Sequence, residues 1–332
     1  MADDIGAFDP GRAVLEVSPG FWQIDLGFQN RGGVIAAYLL AGEDYLVLIE
    51  SGPSSCLANL RAGIARTGYA LSDLTHALVT HIHLDHAGAC GPLARDNPSL
   101  QIRVHPFGAP HLIDPAKLVA SATRIYGERM DKLWGEFCPI DARQVVPLQN
   151  GEVLDLAGRR LTTIFTPGHA HHHVAYVDLA ARHAFTGDVG GVRMQGTDYV
   201  CPPTPPPDLD PGLWWESIQR LKECGLERLY LTHFGEFLDA GRHLADLGPN
   251  LDEFLALGSA AIEAGRNGDE ITAILHERMA RGLGDVPPGI VTNLEWATPS
   301  YMATLGIQRW HRKRAEQNVG QDAHKPSDWS GE

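Results

Sequence analysis

Between residues 21 and 53 the chain reads as three apolar runs, FWQIDLGF, VIAAYLLAG and YLVLIESG, rich in β-branched and aromatic residues and punctuated by glycine, which predicts an N-terminal β-meander. From Ser54 to Thr67 the apolar positions shift to helical spacing at Leu57, Leu60 and Ile64, and the strand-like His76-Ala-Leu-Val-Thr80 follows. Ala87 to Asn97 predicts a helix and Gln101 to His105 a short strand. Pro115 to Trp134 predicts one longer helix, carrying Leu118, Ile125, Met130 and Leu133, and is a candidate lid. A second β-rich half is predicted from Gln144 to Leu148, Glu152 to Leu156, Arg160 to Thr166, His173 to Asp178 and His183 to Thr186. An amphipathic segment from Trp214 to Cys224, a buried strand from Arg228 to Thr232 and mostly helix from Leu238 to Leu283 come next. The order β-rich, helix, β-rich, helix predicts two sheets packed face to face with helices outside. Residues 315–332 are polar and poor in apolar side chains, which predicts a disordered tail.

Composition narrows the function classes. A chain of 332 residues, 44% hydrophobic, buries a full-sized core in one large domain or two smaller ones. Its formal net charge of −14 supplies no general attraction for nucleic acid or an anionic membrane, so any anionic partner must find a local positive site. The longest apolar stretch, Val34 to Ala41, falls far short of the roughly 20 residues of a membrane span. The opening Met-Ala-Asp-Asp-Ile-Gly shows no secretory pattern, so a cytoplasmic location is expected. Five cysteines without a Cys-x-x-Cys pair read as mostly buried thiols rather than a disulfide framework or zinc ribbon. Six of the 22 prolines fall between Cys201 and Leu213, making a stiff loop that is either a surface connector or a wall beside a site. The basic run from Arg309 to Arg314 reads as cations in a last helical turn.

Histidine carries the chemistry. Of 16 histidines, seven fall in two short stretches: His81, His83, His86 and His169, His171, His172, His173. In Thr80-His-Ile-His-Leu-Asp-His86, at the end of an apolar strand, His81 and His83 project to one side in extended backbone, and Asp85 and His86 are free to face a second metal after the turn. Three more apolar runs end on a potential ligand: FTPGH at His169, FTGD at Asp188 and LYLTH at His233. Imidazoles with carboxylates form a borderline-soft set suited to Zn²⁺, with Fe and Mn as alternatives. His171 and His172 read as loop residues, and His105 and His111 as core or surface positions. Tyr126, Trp134, Tyr199, Trp214 and Trp215 are candidate pocket aromatics, Tyr199 first because it lies on the loop leaving Asp188. His173 is a candidate for contact with the site through hydrogen bonds, and with Tyr199 it makes up the expected substrate-side pair.

These residues resemble the motifs of the metallo-β-lactamase superfamily, which appear in order along two-thirds of the chain. The resemblance implies an αββα sandwich of class α+β, with a catalytic domain at 1–240 and a helical extension at 241–314. It implies that His81, His83 and His169 hold one divalent metal, that Asp85, His86 and His233 hold another, and that Asp188 bridges them. Asp85 and Asp188 would then be the catalytic carboxylates. Asp188 stands where the β-lactamases usually place Cys or Ser, His83 replaces the Glu of the flavo-diiron reductases, and no basic exosite suits a nuclease. What remains resembles the glyoxalase II, acyl-thioesterase and lactonase branches: a dinuclear hydrolase, with zinc as the first choice of metal, whose bridging hydroxide cleaves a small-molecule thioester, ester or lactone. The alternatives are a mononuclear iron oxygenase resembling the persulfide dioxygenases and a metal-bound protein without turnover. A homodimer is an open option, built on the helical segment at 115–134 or on the C-terminal helices.

Overall fold

A strand apolar at every position must be covered on both faces. Leu46–Ile49 meets that condition, and Val174–Asp178, apolar up to Tyr176 and Val177 before its closing aspartate, is likewise buried throughout, both at the centre of a two-sheet sandwich. The computed structural model describes residues 8–322. Its first sheet contains β1 (Val14–Ser18), β2 (Phe21–Asp25), β3 (Ala36–Ala41), β4 (Leu46–Ile49), β5 (His76–Leu78), β6 (Gln101–Val104) and β7 (Val145–Pro147) in that order, antiparallel to β4 and parallel from there on. The second sheet holds β8 (Val153–Leu156), β9 (Arg159–Phe165), β10 (Val174–Asp178), β11 (His183–Phe185), β12 (Arg228–Leu231) and β13 (Gly235–Phe237), also side by side in sequence order, with β11 and β12 the parallel pair.

Aromatic rings fill the space between the sheets. Phe21 of β2 meets Tyr230 of β12 edge to face with centroids 4.8 Å apart, and Tyr38 of β3 meets Phe185 of β11 at 5.2 Å. The buried Tyr38 hydroxyl donates to the Leu231 carbonyl, so the pair is fixed in register as well as packed. Around the sandwich lie α1 (Leu57–Arg66), α2 (Leu84–Ala87), α3 (Cys90–Asp96), α4 (Ala109–Ile113), α5 (Ala116–Tyr126), α6 (Met130–Trp134) and α7 (Pro211–Glu223). Four C-terminal helices follow: α8 (Ala240–Glu263), α9 (Gly268–Leu283), α10 (Pro288–Ala297) and α11 (Ser300–Asp322), with α8, α9 and α11 packed on one another.

The expected two-sheet sandwich with outer helices is present, with local corrections. The strand at Gln144–Leu148 belongs to the first sheet, because β7 pairs in parallel with β6 instead of opening the second half. The single helix expected over 115–134 is broken into α5 and α6 at Gly127, which takes a left-handed φ of +55°. Helix α11 continues to Asp322, so the basic run at Arg309 to Arg314 lies mid-helix, away from a final turn. Arg309 and Lys313 donate instead to the Pro207 carbonyl. The same helix reaches into the segment 315–332 read as a tail, and residues 323–332 lie outside those described. The cysteines are free, and Cys56, Cys90 and Cys201 are buried, as composition suggested. No helix among the described residues is long and apolar enough to cross a membrane.

Candidate metal centre

Four strands, β5, β9, β11 and β12, end at one edge of the sandwich, each is followed within two residues by a buried threonine, and each then delivers a ligand-type side chain. The threonines are Thr80, Thr166, Thr186 and Thr232; the side chains that follow are His81, His169, Asp188 and His233. Backbone bonds stitch the sheets together here, from Val174 N–H to the Thr80 carbonyl and from Ala36 N–H to the Thr232 carbonyl. Two glycines make the turns possible. Gly168 adopts φ +143° with its Cα against Trp214, where a Cβ would lie 2.3 Å from the Trp214 Cα, and Gly187 adopts φ +48° against the Thr80 side chain.

The seven side chains singled out by the sequence converge in two sets. His81, His83, His169 and Asp188 form one cluster of mutually close ligand atoms, and Asp85, His86 and His233 form the other. Asp188 faces both: its Oδ2 lies 3.4 Å from His169 Nε2, and its Oδ1 lies 3.2 Å from His86 Nε2 and 3.5 Å from His233 Nε2. Asp85 Oδ2 completes the second set 3.5 Å from His233 Nε2.

The outer ring nitrogens are held by the scaffold, which turns the inner ones toward the centre. His169 Nδ1–H donates to the Pro203 carbonyl and His233 Nδ1–H to the Val34 carbonyl, leaving both Nε2 atoms bare. His81 Nδ1 sits 3.0 Å from Thr80 Oγ1. His83 Nδ1 faces His81 Nε2 at 2.9 Å and His169 Nε2 at 3.0 Å, and one ring nitrogen carrying at most one hydrogen cannot satisfy two nitrogens. In the second set His86 Nε2, His233 Nε2 and Asp188 Oδ1 are buried with no hydrogen-bond partner. Inward lone pairs, orphaned buried atoms and a mixed imidazole–carboxylate donor set fit divalent cations.

Electrostatics separates the two sets. Burial, followed by neighbouring imidazoles, pulls His81 well below its ordinary range and His83 down to about 3; burial also lowers His169 against the attraction of Asp188. For His86 burial acts downward but is outweighed by Asp188, Glu50 and Asp85, so it is held well above its usual value; His233 rises for the same reason, chiefly through Asp188. Asp85, despite burial, is brought to about 2 by His86 and His233. The first set thus favours neutral imidazoles, whereas the carboxylates around His86 and His233 favour positive charge at the second, which a bound cation would supply in place of protons.

Glu50 escapes sequence reasoning. It follows β4 with a left-handed φ of +64°, is 1% exposed, accepts from Thr80 N–H at 3.2 Å and places Oε2 3.3 Å from His86 Nδ1. A glutamate closing the apolar run LVLI was the available clue. Glu50→Gln is expected to weaken metal binding at the His86 set about 10–100-fold with the fold retained, read by competition with a chromophoric chelator; unchanged affinity would show that Glu50 does not orient His86.

The expected substrate-side pair does not line the cavity above the cluster. His173 is fully buried behind His81, stacked on it with centroids 4.9 Å apart, bonded to Thr166 Oγ1 and accepting from Val189 N–H beside Asp188. It touches the cluster from behind. Tyr199 is turned away, its ring against Gly282 of α9 and under the Arg278 guanidinium, because Val192 and Cys201 pair and fold the intervening loop back from the centre. His172 is less exposed than a loop residue, with its ring 5.8 Å from that of His83, whereas His171 is exposed. Trp214 supports His169 and donates to the Val189 carbonyl, and Trp215 bonds Asp252. His105 packs on Phe165 in the interior, as expected.

The cavity, of about 330 Å³, has His83, Asp85 and Asp188 in its lining. Its walls come from the α5–α6 segment, including Tyr126 and Trp134, from Pro203 and Pro205 to Pro207, and from α10 and α11. The proline-rich loop is thus a wall of the site, the second of its two expected roles.

A family model described as the Metallo-beta-lactamase superfamily matches residues 30–233. A metallo-beta-lactamase fold-containing protein of Sulfurisphaera tokodaii is 29% identical over 219 residues, 65% of this chain and 78% of that protein. An atrochrysone carboxyl ACP thioesterase of Aspergillus terreus is 25% identical over 180 residues, 54% of this chain and 42% of that protein, so the likeness spans less than half of the fungal enzyme. Among solved structures, a metallo-beta-lactamase family protein from Thermus thermophilus superposes with a TM-score of 0.68 at 21% identity, covering 90% of this chain and 95% of that one.

Proposed function

Because this chain belongs to the metallo-beta-lactamase superfamily, we propose that it is a metal-dependent hydrolase that cleaves a carboxylic thioester, ester or lactone at a dinuclear centre. The observation that carries the reading is Asp188, whose two carboxylate oxygens face the two clusters separately. His81, His83 and His169 would hold one ion, Asp85, His86 and His233 the other, and Asp188 both; zinc suits the donor set best. Two such ions, when bound, make a hydroxide available from water at neutral pH and polarise the carbonyl oxygen under attack.

The protein's own part is positioning and proton handling. The backbone carbonyls of Pro203 and Val34 and the Glu50 carboxylate hold the imidazoles in place. Asp85, partly open to the cavity and ionised by its histidine neighbours, is the carboxylate placed to take a proton from attacking water and return it to the leaving thiol or alcohol. Water adds to the carbonyl carbon, the C–S or C–O bond breaks, and the products are an acid and a thiol or alcohol. We further propose residues 1–240 as the catalytic unit, 241–314 as the helical extension that completes its cavity, and the cytoplasm as its compartment. The thioesterase named among the relatives supports the ester or thioester class.

The test is a panel of acyl thioesters, aryl esters and lactones incubated with zinc-loaded protein. Release of thiol or acid that stops on chelation is expected, and no turnover on any member would refute the assignment.

A further inference from the structure

The walls of the cavity are apolar along most of their length. Leu118 and Ala122 of α5, Trp134 of α6, Trp296 of α10 and Met302 of α11 line it together with the prolines. A polar acyl group would lose water there without finding partners, whereas an apolar one gains from burial. The Trp134 ring adds to this apolar wall, stacked on Phe28 and edge to face with Tyr126.

Beyond the metal-facing residues, two charged side chains line the cavity, Arg129 and Glu295. Glu295 is already engaged, accepting from the Ser300 N–H and hydroxyl and pairing with His276 at 2.6 Å. Arg129 has no carboxylate partner among the described residues. It is exposed, in the short turn between α5 and α6, with its guanidinium over the Tyr301 ring, 5.7 Å from the centroid. An exposed, uncompensated cation at the rim of an apolar slot, on a chain of net charge −14, is a recognition element for an anion leaving the slot toward solvent.

Resting on the hydrolase reading above, we propose that the substrate is a thioester of a bulky apolar acyl group of medium chain length, joined to a leaving group whose anionic portion is held by Arg129. A cavity of about 330 Å³ stands at the small end of the range of small-molecule sites, roughly 300–1,000 Å³, which suits an acyl body of that class. The acyl chain lies against α5, α6, α10 and α11, the carbonyl carbon sits above Asp85 and Asp188, and the thiol departs past Arg129. Water supplies the oxygen and both hydrogens, one to the acid and one to the thiol.

The experiment compares acetyl and decanoyl thioesters, each made with coenzyme A, which carries phosphates, and with uncharged N-acetylcysteamine, using metal-loaded native protein, Ala122→Trp and Arg129→Gln. At up to about fourfold per buried methylene, the native protein is expected to favour decanoyl over acetyl by at least 100-fold in kcat/KM. The preference for coenzyme A over N-acetylcysteamine is expected to be at least tenfold. Ala122→Trp should collapse the first ratio and Arg129→Gln the second. A flat chain-length profile in the native protein, or a coenzyme A preference that survives Arg129→Gln, would overturn the proposal while leaving the hydrolase reading in place. If no thioester, ester or lactone is cleaved, the hydrolase reading fails. Calorimetry with decanoate, acetate and coenzyme A then still decides the slot: decanoate bound at least 100-fold more tightly than acetate supports it, and equal or absent binding overturns it.

Discussion

Replacing Asp188 with alanine is expected to lower kcat/KM for ester or thioester cleavage by at least ~1,000-fold, about 4 kcal/mol at 1.36 kcal/mol per tenfold, with the circular dichroism spectrum unchanged. The carboxylate is 5% exposed and reaches His169 of one cluster and His86 and His233 of the other, so its loss would strip a ligand from each. The fold is expected to survive because the turn that carries it is held by other atoms. Val189 N–H donates to His173, the Trp214 indole donates to the Val189 carbonyl, and Gly187 sets the backbone. Asp188→Asn, with one acceptor oxygen, should fall between the two. Activity within tenfold of native in Asp188→Ala would contradict the bridging role.

Removing the metal is expected to lower the melting temperature by about 10 °C, since each site filled at 100 times its dissociation constant contributes about 2.7 kcal/mol and a chain of this size shifts roughly 2 °C per kcal/mol. Scanning calorimetry before and after dialysis against dipicolinate, with zinc added back, measures it; an unchanged melting temperature would contradict resident metal. The metal-free protein should also have a stability maximum near pH 6.5. His81, His83 and His169 are lowered in the fold, so the unfolded chain binds more protons below 6.5 and stability falls as pH drops. His86 and His233 are raised, so their contribution is complete below 6.5 and is lost as pH climbs through their folded values.

Much of this centre is legible in the chain because ligands at strand ends announce themselves locally. His81, His83, Asp85 and His86 are close in sequence, and the structure also brings His169, Asp188 and His233 to the same edge, since parallel and antiparallel neighbours end there together. Glu50 is only faintly legible: a glutamate closing LVLI is a clue, but its partner, His86, is reached across the sheet edge and no spacing pattern links the two. Tyr199 misled because nearness to Asp188 along the chain does not survive the Val192–Cys201 pairing. The proline-rich loop and α11 form one wall through Arg309 and Lys313 on the Pro207 carbonyl, a contact spanning about a hundred residues that no local pattern announces. β7 joined the first sheet because a short apolar run does not reveal which edge it will extend.

Elemental analysis of protein purified without added metal or a nickel tag tests the dinuclear centre most directly. Two zinc or manganese ions per chain are expected. No bound metal, or a single iron per chain, would contradict a two-ion hydrolase and, for the iron, turn attention to oxygen-dependent chemistry at His81, His83 and His169.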